Sequence, residues 1–212
     1  MEFEIPLVLA TRNKGKIREL TRLLAGYPVN LKNLDHFGPL PPIWEDGCTF
    51  EENAYKKAFE TASALGLPAL ADDSGLAVEA LEGLPGVFSS RYAGDGAGDE
   101  ENNRKLLLEM TDKTNRKAAF VCTLAIAVPA GPALIYEGRV EGVILEEPRG
   151  EGGFGYDPLF YYPLLDRTFA ELTPDEKNRV SHRGKALEEL RSEFDKVLIW
   201  LRQRLREQGW DL

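Results

Sequence analysis

Cationic side chains are outnumbered in this sequence: 26 Lys and Arg stand against 35 Asp and Glu, a formal net charge of −9. Broad binding to DNA or RNA requires a basic surface, so no nucleic-acid partner is expected. Cysteine is scarce too. Cys48 and Cys122 are far apart and lack metal-ligand spacing, so two free thiols are expected rather than a disulfide. No apolar run approaches the roughly 20 residues of a membrane helix. The opening Met1-Glu2-Phe3-Glu4 has no basic region ahead of an apolar one, so a cytoplasmic protein with no membrane contact is expected. Repeats and low-complexity segments are absent as well. What remains is an ordinary globular composition, 43% hydrophobic and 29% charged over 212 residues, enough for one sizeable core or for two lobes sharing a sheet.

An acidic protein can still bind a small polyphosphate where its cations are concentrated locally, and two stretches concentrate them. Residues 5–10 form a short apolar run that reads as a buried strand. Thr11-Arg12-Asn13-Lys14-Gly15-Lys16 follows, and then Ile17, Leu20, Leu23 and Leu24 recur at helical spacing up to Gly26. A loop between strand and helix turns backbone N–H groups and a helix N-terminus toward an anion, and Lys14 and Lys16 add charge there. Thr11 and Asn13 add hydrogen-bond donors. P-loop spacing is absent, and a solvated basic loop capping a helix is the competing reading. The second stretch lies near the end. Thr173 and Pro174 read as the cap and first residue of a helix leading to Ser181-His182-Arg183-Gly184-Lys185. Leu187, Leu190, Phe194, Val197, Leu198, Leu201 and Leu205 then repeat every three or four residues, as in one long amphipathic helix. Lys177, Arg179, His182, Arg183 and Lys185 gather at its start, where cations oppose the helix dipole, a hint of a bound anion or polar ligand.

Carboxylates are concentrated between these stretches, in Leu70-Ala71-Asp72-Asp73-Ser74-Gly75-Leu76-Ala77-Val78. An apolar run ends in two acids and a hydroxyl, Gly75 turns the chain, and a second apolar run begins. On a strand end Asp72 and Asp73 would point to opposite faces. Such acids suit a divalent cation bound to phosphate oxygens, while a simple Asp-Asp-Ser-Gly turn is the local alternative. Upstream, residues 29–34 read as a strand, and Pro39, Pro41 and Pro42 exclude helix from the loop ending in Trp44-Glu45-Asp46-Gly47. A helix is expected from Phe50 to Leu65, with Ala54, Ala58 and Ala62 on one face and Lys56 solvated. Downstream, Asp99 reads as the cap of a helix reaching Met110, and residues 118–128 and 133–145 as an antiparallel strand pair. Gly150-Glu151-Gly152-Gly153-Phe154-Gly155-Tyr156-Asp157-Pro158 is dense in glycine, as where backbone approaches a ligand closely. Phe154 there reads as a platform for stacking on a base or as a small core plug.

Four of these islands stand in the order found in the inosine triphosphate pyrophosphatase (Ham1-like) family: Thr11-x-Asn13-x-x-Lys16, Ala71-Asp72-Asp73-Ser74-Gly75-Leu76, Phe154-Gly155-Tyr156-Asp157 and Ser181-His182-Arg183. Gly83-Leu84-Pro85-Gly86 and Glu51-Glu52-Asn53-Ala54 also fit. The chain thus resembles that family from about Leu7 to the final helix. The resemblance implies Mg2+-dependent hydrolysis of non-canonical purine nucleoside triphosphates (ITP, dITP, XTP) to the monophosphate and pyrophosphate, cleansing the nucleotide pool. It implies Asp73 as proton acceptor and metal ligand, and Glu45, or Asp46 beside it, as the second acidic ligand, with Asp72 in support. Thr11, Arg12, Asn13, Lys14, Gly15, Lys16, Lys57 and Ser74 would hold the triphosphate, with Arg91 a further candidate. Phe154, Gly155, Tyr156, Asp157, Lys177, His182 and Arg183 would take up the base. A single α/β domain is expected, with a mixed twisted sheet flanked by helices and two lobes, interleaved in sequence, around an active-site cleft. A homodimer is implied by the resemblance alone. A Maf-like pyrophosphatase acting on other nucleotides and a non-catalytic nucleotide sensor are the rival readings. The Phe154 and His182 islands disfavour the first, and an acidic pair at Asp73 disfavours the second.

Overall fold

The computed structural model describes residues 4–210, so the leader reading at Met1-Glu2-Phe3 lies outside the described residues. Strands and helices follow in the order β1 (Ile5–Leu9), α1 (Lys14–Leu23), β2 (Val29–Asn33), α2 (Phe50–Leu65), β3 (Ala69–Val78) and α3 (Asp99–Glu109). Then come β4 (Lys117–Ala127), β5 (Leu134–Ile144), β6 (Phe160–Tyr162), β7 (Arg167–Thr168), α4 (Pro174–Val180), α5 (His182–Ser192) and α6 (Phe194–Glu207). One seven-stranded sheet runs β2-β1-β3-β4-β5-β6-β7. It is mixed, as expected: β1 is parallel to both β2 and β3, while β6 is antiparallel to β5 and β7. The parallel pairs need crossovers, which α1 and α2 supply.

Two compact units divide the chain. One holds the described residues up to Asp73, Thr123–Tyr136 and the described residues from Ala186; the other holds Ser74–Cys122 and Glu137–Lys185. In the first, Ala54, Ala58 and Ala62 of α2 pack on Val8, Ala69, Ala71, Ala125 and Ala127 of the sheet. Small side chains on both surfaces bring α2 close to the strands. Its limits match the sequence reading because a Thr49–Glu52 capping box starts it and Gly66, at φ 65°, ends it. In the second unit the core is aromatic. Phe120, Phe160 and Phe169 cluster, with the Phe120 and Phe160 ring centroids 4.5 Å apart, among Leu76, Leu106, Met110 and Ile144.

Three expectations are corrected. Gly75 does not turn the chain, since β3 runs unbroken from Ala69 through Asp72, Asp73, Ser74 and Gly75 to Val78. The turn tendency of those residues is local, and β3 is an inner strand of the sheet, paired with β1 at Ala69 and Leu70 and with β4 as its other neighbour. Nor is there one long final helix. Ser181 (φ −72°, ψ 160°) separates α4 from α5, and Glu193 (φ −114°, ψ 8°) separates α5 from α6. Lys177 and Arg179 therefore belong to α4. Hydrophobic periodicity survives such one-residue interruptions, which is why the pattern does not reveal them. Finally, Gly98 caps α3 and Asp99 is its first helical residue. Thr173 and Pro174 do start α4 as read, and along β5 the side chains alternate, with Tyr136, Val140 and Ile144 buried and Glu137, Arg139 and Glu141 exposed.

Candidate active site

In the first unit the site begins with the alternation of β3. Ala69 and Ala71 face α2, so Asp73, next on that face, meets Lys57 of the same helix. Asp72 points the other way and pairs with Lys16 of α1. The two lysines also share the Asp72 carbonyl, which accepts from Lys57 Nζ at 2.9 Å and Lys16 Nζ at 3.2 Å. Lys57 Nζ lies 2.6 Å from Asp73 Oδ1 and 3.3 Å from Glu45 Oε2. A lysine only 8% exposed thus faces two carboxylates and a carbonyl. Burial alone would lower the Lys57 pKa, but Asp73 and Glu45 outweigh it and raise it, so the side chain stays cationic.

The two carboxylates are driven apart. Burial pushes Asp73 up, against the pull of Lys57 and Lys16. Burial also acts to raise Glu45, but there the attraction of Lys57 and Lys16 wins and its pKa is lowered. Asp73 Oδ2 is buried and accepts no hydrogen bond. Glu45 supplies the second carboxylate beside it, and hard oxygen donors of this kind suit a small divalent cation. Among the described residues no group of three or more His, Cys, Asp or Glu side chains is arranged to hold a metal ion, so any cation here would draw on this pair and on its ligand.

Glu45 and Asp46 separate cleanly. Asp46 is bound by Lys56 at 2.7 Å, so Lys56 is paired and not merely solvated as expected. Buried Asn53 accepts from Gly47 N at 2.8 Å and fixes the loop that presents Glu45 to Lys57. Sequence reasoning names Asn53 but gives it no such part.

The loop after β1 is less open to an anion than its sequence suggests. Asn13 Oδ1 accepts from Gly15 N (2.8 Å) and Lys16 N (3.1 Å), capping α1 with the N–H groups that would greet a phosphate. Thr11 Oγ1 accepts from Asn13 N. Arg12 is drawn to Asp35 at the surface and Lys14 is exposed, so of the loop's cations only Lys16 joins the acidic centre.

In the second unit Lys177, Arg183 and Asp157 gather around Phe154. Lys177 Nζ lies 4.6 Å from the centre of its ring and Arg183 Cζ 5.7 Å. Lys177 is held by Asp157 Oδ2 at 2.6 Å, and the same oxygen accepts from Phe154 N at 2.9 Å. A side chain at Gly153 would collide with that carboxylate, and φ there is +76°, so only glycine fits. Arg183, 1% exposed, reaches Ser74 Oγ at 3.3 Å. His182 is stacked on Phe120 with centroids 4.7 Å apart. Gly184 explains why this island carries a glycine: a Cβ would run into the carbonyl of Asn178 on α4. Tyr156 OH donates to Ser89 O, anchoring the loop from inside. Arg91 lies over Phe88, 5.3 Å from its ring centre. Two residues that sequence reading does not connect to this loop are bound to it: Asp99 Oδ2 accepts from Gly155 N at 2.6 Å, and Asn103 Nδ2 donates to Gly155 O at 2.9 Å. Their only sequence signal is four-residue spacing on one helix.

Fold and side-chain geometry together define a mixed α/β protein with a buried lysine–carboxylate centre and a cation-flanked aromatic platform. The profile of the Ham1 family matches residues 7–193. A dITP/XTP pyrophosphatase of Syntrophobacter fumaroxidans is 58% identical over 203 residues, covering 96% of this chain and 88% of that one. Another from Desulfotalea psychrophila is 55% identical over 95% of this chain and 91% of its own. Among solved structures, a HAM1 protein from Coxiella burnetii superposes with a TM-score of 0.84 at 46% identity, covering 91% of this chain and 99% of that one. The chain belongs to the Ham1 family.

Proposed function

We propose that this protein hydrolyses non-canonical purine nucleoside triphosphates, dITP, ITP and XTP, to the nucleoside monophosphate and pyrophosphate, and so removes deaminated purines from the nucleotide pool. One observation carries the chemistry: Asp73, buried and raised in pKa, keeps a carboxylate oxygen without a donor beside the Lys57 ammonium. Relatives named dITP/XTP pyrophosphatase at up to 58% identity support the choice of substrate. Water adds across the anhydride bond between the α- and β-phosphates, that bond breaks, and pyrophosphate departs with the nucleoside monophosphate left behind. Asp73 takes the proton of the attacking water. Lys57 and Lys16 balance the charge of the triphosphate, with Thr11, Asn13 and Ser74 as neutral partners.

Mg2+ is the cation this donor set suits, because it commonly uses one or two carboxylates and completes its shell with phosphate and water. Asp73 and Glu45 would hold it; Asp46, engaged by Lys56, would not. The chemistry such an ion would supply there is neutralisation of charge on the phosphate oxygens.

Phe154 stacks on the base, with Lys177, His182 and Arg183 supplying donors. Donors directed at a 6-keto oxygen are left unpaired opposite the 6-amino group of adenine, and a site built around such a bond discriminates by about 10⁴-fold. The reading includes a single functional domain and a cytoplasmic homodimer that acts on a small molecule, without nucleic acid or membrane partners. Among the described residues no helix is long and apolar enough to cross a membrane. The test is pyrophosphate release from ITP and XTP with Mg2+, compared with ATP, GTP and a modified pyrimidine triphosphate. Release from the first two alone is expected; preference for the pyrimidine, or no release at all, overturns the reading. Light scattering checks the dimer.

A further inference from the structure

We infer that Asp99 and Asn103 of α3 are positioning residues that set the Phe154 platform, and through it the selection of the base. The inference rests on the reading of Phe154 as the stacking surface. Gly155 adopts φ +63°, a left-handed conformation in which the loop cannot pair its own polar groups in a ladder. Those groups need partners from elsewhere, and α3 provides both. Asp99 Oδ2 takes the N–H of the peptide joining Phe154 to Gly155, at 2.6 Å. One helical turn on, Asn103 Nδ2 donates to the carbonyl of the next peptide, at 2.9 Å. With Phe154 N held by Asp157 Oδ2, the backbone on each side of the Phe154 side chain is pinned.

Asn103 carries a further sign. Its Oδ1 is buried without a hydrogen-bond partner, and an acceptor left so is destabilising. The amide cannot be turned to relieve this, because Oδ1 would then face the Gly155 carbonyl. A residue kept at a cost to stability, and whose one bond holds the platform loop, is there for what that loop does. The carboxylate at 99 fits the same role, since a hydrogen bond from an amide to a charged acceptor is the stronger kind.

The test separates base from phosphate. Binding of IMP is measured by calorimetry, and inhibition by pyrophosphate and turnover of ITP by steady-state kinetics, in Asp99→Ala, Asp99→Asn and Asn103→Leu. Asp99→Ala and Asn103→Leu are expected to weaken IMP binding and raise KM for ITP by about tenfold, the scale of one such bond, with kcat within about twofold. Pyrophosphate inhibition stays as in wild type. Asp99→Asn, whose carboxamide oxygen accepts the same N–H, recovers most of the loss even where the alanine variant folds poorly. Glu100→Gln, one charge fewer on the same exposed turn, changes nothing. Equal weakening of IMP and pyrophosphate, or no change in either, overturns the inference while wild-type turnover of ITP stands. Absence of wild-type turnover overturns the proposed function itself.

Discussion

Lys57 Nζ lies 2.6 Å from Asp73 Oδ1, and neither side chain is more than a tenth exposed. A buried ion pair is weak evidence of stabilisation, because taking both charges out of water is costly. Its value here is positional: it holds one oxygen of Asp73 and leaves the other bare.

Asp73→Asn separates chemistry from structure. The carboxamide oxygen can still accept from Lys57, so circular dichroism and the melting profile should remain close to wild type. The lost proton acceptor should lower kcat for ITP by about 10²- to 10⁴-fold. A variant that unfolds, or one that retains turnover, removes Asp73 from the role assigned to it.

Lys57→Met is expected to act in the opposite way, on stability first. It strips Asp73 and Glu45 of their cation and leaves the Asp72 carbonyl one donor fewer, a loss of about 3–5 kcal/mol for breaking a buried pair from one side. Urea denaturation at neutral pH measures it. Lys56→Met, next along the helix but on its exposed surface pair with Asp46, should leave the transition almost unmoved.

Phe154→Ala should raise KM for ITP by about tenfold to a hundredfold, since base stacking on an aromatic ring contributes about 1–3 kcal/mol. Phe154→Trp retains a stacking face and should stay near wild type. A kcat effect without a KM effect would show that the ring does not meet the base.

Stability against acid should report on α4. Glu176 accepts from Arg167 at 2.8 Å and from the N–H and hydroxyl of Thr173, and its pKa is lowered from 4.5 to about 2, the Arg167 bond being the main cause. Between those values the unfolded chain binds a proton that the folded chain refuses, so folding is favoured less as pH falls. The contribution is complete above pH 4.5 and gone below about 2. Glu176→Gln should flatten the fall in denaturation midpoint across that interval; an unchanged slope would count against the pairing.

The chain order of the four islands, the limits of α2 and the start of α4 at Thr173 and Pro174 could all be read from residues alone, because caps, glycines and apolar spacing act within a few positions of one another. Asp73 and Lys16 stand out for the same reason, whereas Lys57 is named only through the family resemblance. The unbroken course of β3 could not be seen that way. Asp72-Asp73-Ser74-Gly75 favours a turn by itself, and only neighbouring strands outweigh it. Likewise, Ser181 and Glu193 break a pattern that periodicity draws as one helix.

Sequence by itself determined which side chains are available for the chemistry and the family to which the chain belongs. Tertiary structure alone decided how they are used: that Asn13 closes its own helix, that Glu45 and not Asp46 meets Lys57, and that Asp99 and Asn103 hold Gly155. The reason is range. Capping and periodicity are short-range and leave a mark in the order of residues, whereas a hydrogen bond across 56 positions leaves none until the chain has folded.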